Sequence, residues 1–316
     1  MTWLGRISIV AALAAFAALM AVTPASTESR IGDTAEGGVF YGTELIDPER
    51  NAFLAVIGED NGVGAASMWV DYKTSVCGDN PRRPIATIGF GPFVRRANGV
   101  ETISSEYFRR SRCVNNEQQT FDQFDIEFRY DPNTDTLKVT QANGGPITMQ
   151  RICDGSGNGG KGKNAFRNVF TGTPQRDQIL GTAARDLIDA RGGNDVIRAG
   201  SGNDIICVGA GNDVVRAGKG FDILIGDNGV EVLRGGLGQD VLLGWFDGDT
   251  LRGEEGNDVL FGVGAGDARL DGGPGNDYLL LDEGFANGGP GPSDECRLNV
   301  LTGSHANCEI LDLFEF

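Results

Sequence analysis

The chain has 316 residues, with 44 aspartates and glutamates against 27 lysines and arginines, and a net charge of −17 at pH 7. This negative charge attracts cations and repels nucleic acids and anionic membranes, so it argues against a nucleic-acid-binding function. The 49 glycines follow no period of three, which excludes collagen and indicates frequent turns.

Residues 1–26 are typical of a cleaved secretory signal peptide. Arg6 precedes the apolar run Ile9 to Val22, and small residues up to Ser26 suit a signal peptidase. A membrane anchor is the alternative, but this run is shorter than the ~20 residues that span a bilayer. No later segment is apolar enough to cross a membrane. We therefore expect a secreted, extracellular protein, free or associated with a cell surface.

Residues 30–153 contain short alternating polar and apolar runs, which predict a domain of antiparallel β-strands. The clearest element is a hairpin in which FDIEFRY, from Phe124, is followed by the turn residues Asp131 to Asp135 and a second strand. The role of this domain is not evident from its sequence. The next segment, 154–170, begins with a Gly-rich polar stretch and is predicted to be a linker.

The N-terminal domain lacks the common hydrolase motifs HExxH and GxSxG. Its sequence also lacks histidine, because the single histidine of the chain is His305, which argues against Ser-His and Cys-His catalysis there. Asp122, Asp125 and Glu127 leave open an acid pair of the glycosidase kind, although alternating carboxylates on a strand more often form a solvated face.

From Gly172 the chain divides into twelve nine-residue units, with one residue inserted before the last unit. Glycine recurs at positions one, two and four, and position eight is aliphatic except in the eleventh unit, where Leu270 is expected to take its place. Position six is always acidic, and its residues are Asp177, Asp186, Asp195, Asp204, Asp213, Asp222, Glu231, Asp240, Asp249, Asp258, Asp267 and Asp277.

This repeat resembles the GGxGxDxUx nonapeptide of the RTX, or hemolysin-type, calcium-binding family. The resemblance covers residues 171–281, about a third of the chain. It implies a parallel β-roll with two repeats per coil, so equivalent positions recur every 18 residues. The expected fold class is all-β, with an N-terminal antiparallel β domain followed by a C-terminal parallel β-roll.

Carboxylates and turn carbonyls supply only oxygen ligands, which favour a hard cation such as Ca²⁺. Carboxylates stacked at the ~4.8 Å strand spacing would repel one another by roughly 3–4 kcal/mol at an effective dielectric near 20. A cation between them reverses that sign. We therefore predict several calcium ions and a repeat region that is disordered in chelator and folds in calcium.

The two edges of the roll differ in their repeats. On the edge formed by the even units, every unit from AGSGND onward keeps glycine at position one or two and at position four. On the other edge Glu231 is longer than aspartate, and Asp247 and Ala265 replace the glycine of position four. We expect calcium along the whole first edge and only at the start of the second. The predicted metal ligands are Asp186, Asp195, Asp204, Asp213, Asp222, Asp240, Asp258 and Asp277.

Positions seven and nine should face outward, where they give the two sheets different surfaces. One sheet carries Arg198, Arg216, Arg234 and Arg252, which either bind an anionic polymer or are simply solvated. The other is too apolar to be left exposed in a soluble monomer. We expect the N-terminal domain, an extracellular or cell-surface partner, or a second copy to cover it. The candidate interface residues are Ile223, Ile225, Val241, Leu243, Val259 and Phe261.

Six cysteines in an exported chain predict disulfides. Cys296 and Cys308 are expected to pair and close a C-terminal cap, 282–316. Cys207 then pairs with an N-terminal cysteine or stays a buried free thiol. The pairing among Cys77, Cys113, Cys153 and Cys207 is left open.

The first functional hypothesis is a secreted calcium-binding protein whose roll folds on calcium after export and acts as a structural or interaction module. The alternative is an extracellular hydrolase of polysaccharides. In that case the active site would lie in the N-terminal domain, and the roll would be a calcium-dependent stabiliser.

Overall fold

The computed structural model describes two sets of β-strands and the turns between many of them. The described residues are 38–43, 52–59, 65–71, 85–91, 93–96, 99–102, 107–110, 121–124, 126–131, 133–141, 147–153, 166–245, 248–263, 267–281, 283–299, 303–308 and 310–314. The predicted signal peptide, most of the predicted linker, Cys77, Cys113 and Asp125 lie outside them. None of the described residues belongs to a helix that could span a bilayer.

The described residues of the N-terminal part form eleven strands. They are β1 Gly38–Thr43, β2 Ala52–Glu59, β3 Ala65–Asp71, β4 Ile85–Gly91, β5 Phe93–Arg96, β6 Gly99–Thr102, β7 Tyr107–Arg110, β8 Phe121–Phe124, β9 Ile126–Asp131, β10 Thr136–Gln141 and β11 Ile147–Cys153. Nine form an antiparallel sheet in the order β4-β3-β2-β1-β11-β10-β9-β6-β5, and β7 pairs with β8. Asp122 and Glu127 lie on β8 and β9, but their side chains are outside the described part.

The predicted hairpin is formed by β9 and β10, with Asp131 opposite Thr136. Asp131 closes the turn, because its carboxylate accepts hydrogen bonds from the backbone N–H of Asn133 (2.9 Å) and the hydroxyl of Thr134 (2.9 Å). An aspartate that bonds to the backbone two residues ahead is a common turn former.

The C-terminal part is a parallel β-solenoid with two sheets. We call the first the covered sheet; its strands are β12 Asn168–Thr171, β14 Asp186–Asp189, β16 Ile205–Cys207, β18 Ile223–Ile225, β20 Val241–Trp245, β22 Val259–Val263, β24 Tyr278–Leu281, β26 Glu295–Asn299 and β28 Ile310–Phe314. We call the second the open sheet; its strands are β13 Gln178–Leu180, β15 Val196–Ser201, β17 Val214–Gly220, β19 Val232–Gly238, β21 Thr250–Glu255, β23 Ala268–Asp271, β25 Gly284–Asn287 and β27 Gly303–Ala306. The predicted all-β fold class is confirmed.

The nine-residue period determines the register of the roll. Strands of one sheet pair with an offset of 18 residues, as Ile205 pairs with Ile223 and Val214 with Val232. The aliphatic residues at position eight pack between the two sheets and are buried, including Leu270 of the eleventh unit. This column of side chains is the core of the solenoid.

The two sheets extend beyond residue 281, where the sequence places the end of the roll. Strands β25 to β28 pair in parallel with β23 to β26, so these four strands add to the two sheets of the solenoid. The roll also begins earlier than expected, since β12 lies inside the predicted linker.

The outer face of the covered sheet packs against the N-terminal sheet. Val39, Tyr41 and Ile152 of β1 and β11 share one buried cluster with residues of this face, such as Ile205 and Val241. A disulfide between Cys153 and Cys207 joins the two sheets. All six candidate interface residues belong to this cluster and are at most 5% exposed, so contacts within the chain bury them.

Candidate metal sites at the edges of the roll

Each acidic residue at position six lies just before a strand or is its first residue. All eight carboxylates predicted as metal ligands are at most 1% exposed. Burying a carboxylate is unfavourable unless hydrogen bonds or a cation compensate its charge. Each of these buried carboxylates therefore needs groups that compensate its charge.

One oxygen of each carboxylate, except that of Asp186, accepts a hydrogen bond in a ladder along the solenoid. Asp186 joins the ladder through its backbone N–H, and its two carboxylate oxygens accept hydrogen bonds from Thr182 and Asn168. On the first edge the backbone N–H of one position-six residue donates to Oδ1 of the next, at 2.8–2.9 Å. The ladder joins Asp186, Asp204, Asp222, Asp240, Asp258, Asp277 and Asp294. On the second edge such bonds join Asp177 to Asp195, Asp195 to Asp213, and Glu231 to Asp249.

The second oxygen is left over for another ligand. In the described structure the buried Oδ2 atoms of Asp195, Asp204, Asp213, Asp222, Asp240 and Asp258 accept no hydrogen bond. Glycine at position one makes room for this oxygen, because a Cβ on Gly235 or Gly253 would collide with Oδ2 of Asp240 or Asp258. The first edge therefore carries a regular row of buried, uncompensated carboxylate oxygens.

Backbone carbonyls supply further oxygens beside these carboxylates. Gly220 and Gly238 occupy position four on the first edge with φ of +141° and +140°, a region that favours glycine. A Cβ on Gly238 would collide with the carbonyl oxygen of Gly220, which shows that this carbonyl points along the solenoid toward the next coil. The same relation recurs between Gly202 and Gly220.

The donor set fits a calcium ion. Carboxylate and carbonyl oxygens are the ligands of this hard cation, which takes six to eight of them. Among the described residues no three His, Cys, Asp or Glu side chains converge, so carbonyls have to complete each site. A divalent cation here would compensate the negative charge on Oδ2, which the hydrogen-bond ladder leaves uncompensated.

Burial of the carboxylates also changes their acidity. Burial raises the pKa of Asp204 to about 6 and that of Asp213, Asp222 and Asp258 to about 7. The pKa of Asp240 rises to about 9, first because of burial and then because of the charges of Asp258 and Asp222. In the metal-free roll these shifts favour protonation, and protons therefore compete with calcium for these groups.

Glu231 interrupts the second edge, as its extra methylene predicts. It is fully buried, and no described hydrogen bond joins it to the N–H of Asp213 in the way that Asp213 joins Asp195. Burial first, and then the neighbouring carboxylate of Asp249, raises the pKa of Glu231 far above its usual range. Both of its side-chain oxygens are buried without a hydrogen-bond partner in the described structure, which favours the neutral form of the carboxyl.

Two features of these edges escape the sequence pattern. Asp294 is a further buried rung of the first ladder, whose turn GGPGPSD has one more residue between its first glycine and the aspartate than the standard unit. A second ladder runs along position five, where the Asn203 side chain accepts from the N–H of Phe221 and the Asn257 side chain from the N–H of Asn276. The frequent Asn before Asp was the available indication of this second ladder.

The structure also places the cysteines. Cys296 and Cys308 form a disulfide between the last coils, and Cys207 pairs with Cys153 rather than remaining a thiol. No described cysteine is free.

Comparison with known protein families agrees with this geometry. Four copies of the RTX calcium-binding nonapeptide repeat match residues 171–206, 208–242, 246–279 and 263–285. The comparison with curated proteins gave no match, and neither did the comparison with solved structures.

Proposed function

We propose, from the premise that residues 171–285 are RTX calcium-binding repeats, that the chain is exported and that its roll folds on calcium outside the cell. The folded roll is a calcium-binding structural module. In this proposal it holds the N-terminal sheet in place through the covered sheet.

The observation that carries this proposal is the row of buried carboxylates with an unbonded Oδ2. Each oxygen adds a desolvation penalty to the metal-free fold, and neighbouring rungs repel once both are ionised. A fold that carries such penalties at consecutive coils is stable only when a cation compensates them. The stability of the roll should therefore follow the calcium concentration.

The residues that would hold calcium are the eight buried aspartates of the sequence prediction together with Asp294. They are Asp186, Asp195, Asp204, Asp213, Asp222, Asp240, Asp258, Asp277 and Asp294. Bound calcium would supply positive charge between stacked carboxylates. The glycine carbonyls of positions two and four would orient toward it, and the position-eight core would then pack.

Export is supported by the redox chemistry of the described cysteines. Disulfides such as Cys153–Cys207 and Cys296–Cys308 form in oxidising compartments and are rare in the cytosol. Extracellular calcium is also far more abundant than cytosolic calcium, so a roll with modest affinity would stay unfolded until after export. The signal-like residues 1–26 agree with this route.

The test is a calcium titration of the disulfide-intact chain followed by circular dichroism and size-exclusion chromatography. In EDTA we expect loss of the β-signal of the roll and a larger hydrodynamic radius, and in millimolar calcium recovery of both. Magnesium at the same concentration is the control, because its shorter bonds and stricter octahedral geometry suit these carbonyl sites poorly. An identical spectrum and radius in EDTA and calcium would contradict the proposal.

A further inference from the structure

The open sheet presents a straight row of arginine side chains. Arg198, Arg216, Arg234 and Arg252 stand at position nine on β15, β17, β19 and β21, and each pairs with the next in register. Neighbouring strands lie about 4.8 Å apart, so this arginine ladder carries one positive charge per strand. Three of the four side chains are exposed, and Arg234 is half-buried.

These charges have no hydrogen-bond or ion-pair partner among the residues that the structure describes. In the described part of the chain, none of the four guanidinium groups forms an ion pair or a side-chain hydrogen bond. Like charges opposite one another on neighbouring strands are unfavourable. The chain has a net charge of −17, yet its position-six carboxylates, apart from Asp177 and Asp267, are buried at the edges.

An apolar column runs beside the arginine ladder on the same face. Val196, Val214, Val232 and Thr250 stand at position seven of the same strands and also pair in register. Val214 is 40% exposed. A ligand lying along the ladder would therefore meet positive charge on one side and hydrocarbon on the other.

Both ends of the ladder are defined. Leu180 precedes Arg198 in register, and Asp271 follows Arg252. Arg252 lines a groove of about 340 Å³ together with Glu254, Glu255 and Asp271. These three carboxylates would repel an anion, so they limit the anion-binding surface at this end of the ladder.

We propose that the arginine ladder binds an extended acidic polysaccharide, with carboxylate or sulfate groups placed on the guanidinium groups and sugar rings on the valine column. Guanidinium binds both kinds of oxyanion through paired hydrogen bonds. Pyranose rings present C–H faces that pack on aliphatic side chains, and a sugar residue in an extended chain is similar in length to the strand spacing.

A nucleic acid fits this face less well. Non-specific nucleic-acid binding is dominated by phosphate contacts, which the net charge of −17 opposes, and single strands also need aromatic side chains for base stacking. The ladder strands VIRAGS, VVRAGKG, VLRGGLG and TLRGEE contain no aromatic residue.

This inference rests on the proposed function only through the folded state of the roll. The full chain is used in millimolar calcium and, separately, in EDTA, with circular dichroism recorded for each sample. Binding is measured to immobilised heparin and hyaluronan, with dextran as the neutral polysaccharide and poly(dT) as the nucleic acid. Polysaccharide binding in EDTA that depends on the arginine ladder would contradict the calcium dependence of folding, but it would support the ladder as the binding site.

The test variant is Arg198→Gln with Arg216→Gln, and the matched control is Arg167→Gln with Arg176→Gln. The control removes the same charge from exposed arginines outside the ladder. We expect the test variant to weaken heparin or hyaluronan binding by about tenfold or more, because charge-assisted hydrogen bonds are lost, while the control stays within about twofold. Binding of neither polysaccharide by the folded chain, equal losses in both variants, or tighter binding of poly(dT) would each overturn the inference.

Discussion

The backbone N–H of Asp204 donates a hydrogen bond of 2.8 Å to Oδ1 of Asp222, 18 residues further along the chain. This bond occupies one carboxylate oxygen of Asp222 and leaves Oδ2 buried and unbonded. The same atom pair recurs along the first edge. One side chain thus connects two coils through Oδ1 and offers a cation ligand through Oδ2, and the two roles can be separated by mutation.

Replacing Asp222 by asparagine should keep the connection and lose the cation ligand. The amide oxygen still accepts from Asp204, but the charge that calcium compensates is gone. We expect the calcium concentration at half-folding to rise by about tenfold, a loss of roughly 1.4 kcal/mol. Circular dichroism during a calcium titration measures this. Asp267→Asn is the control, because Asp267 has the same position in its unit but is exposed; an equal shift in both variants would count against the site.

Glycine at position four should tolerate no side chain where a carbonyl of the preceding coil faces it. Gly238→Ala places a Cβ against the carbonyl oxygen of Gly220 at a φ of +140°. We expect a loss of about 2–3 kcal/mol or more in the free energy of unfolding in calcium, measured by urea denaturation. Gly248→Ala is the control, because the nearest atom to its Cβ would be 3.5 Å away. Similar losses would show that the turns adapt freely.

The sequence predicts the regular part of this molecule and misses features that depend on spacing or on three-dimensional contact. The nine-residue period identifies the position-eight core, including Leu270, and the interruption at Glu231, because each follows from a fixed place in the unit. Asp294 is missed because its turn contains an extra residue. The sequence leaves open whether Cys207 pairs and with which N-terminal cysteine, because the Cys153–Cys207 pair depends on how β11 lies against β16 and no periodicity encodes that contact.

Glu231→Asp should restore a calcium site on the second edge. The shorter side chain can accept a hydrogen bond from the N–H of Asp213 and present its second oxygen to a cation, as on the first edge. We expect about one more calcium ion per chain, since carboxylates line up on both sides of the repaired rung. Native mass spectrometry counts the ions. Glu231→Gln is the control and should leave the count unchanged, because glutamine is neutral like the protonated glutamate. An unchanged count for Glu231→Asp would show that residues other than Glu231 prevent calcium binding at this edge.

The metal-free roll should become more stable as the pH falls. The folded pKa values of Asp213, Asp222 and Asp258 are about 7 and that of Asp240 about 9, against 3.8 for the unfolded side chain. The folded state therefore binds more protons, and stability decreases as the pH rises from about 4 toward these values. In EDTA we expect the β-signal of the roll to increase from pH 8 to pH 5. The affinity of the folded roll for calcium should decrease over the same range, because protons compete with the ion for the same carboxylates.

A double variant, Asp222→Asn with Asp240→Asn, provides the control for this pH dependence. It removes two of the most strongly perturbed carboxyls, so the β-signal in EDTA should depend less on pH than in the parent chain. An unchanged slope would assign the pH dependence to groups outside the ladder.

Removing the Cys153–Cys207 disulfide should destabilise the protein more than removing Cys296–Cys308. The first closes a loop between residues 54 apart in sequence and the second between residues 12 apart. Loop-closure entropy gives about 4 kcal/mol for the longer loop and about 3 kcal/mol for the shorter one. The first pair also links the N-terminal sheet to the covered sheet, so its loss should expose Ile223 and Val241.

We expect Cys153→Ala with Cys207→Ala to increase binding of a hydrophobic dye and cleavage by protease in calcium. Cys296→Ala with Cys308→Ala should leave both readouts near those of the parent chain. This variant removes a cross-link within the roll and not the one between the N-terminal sheet and the covered sheet. Equal dye binding by the two variants would mean that the buried cluster around Val39 and Tyr41 holds the sheets together without the covalent link.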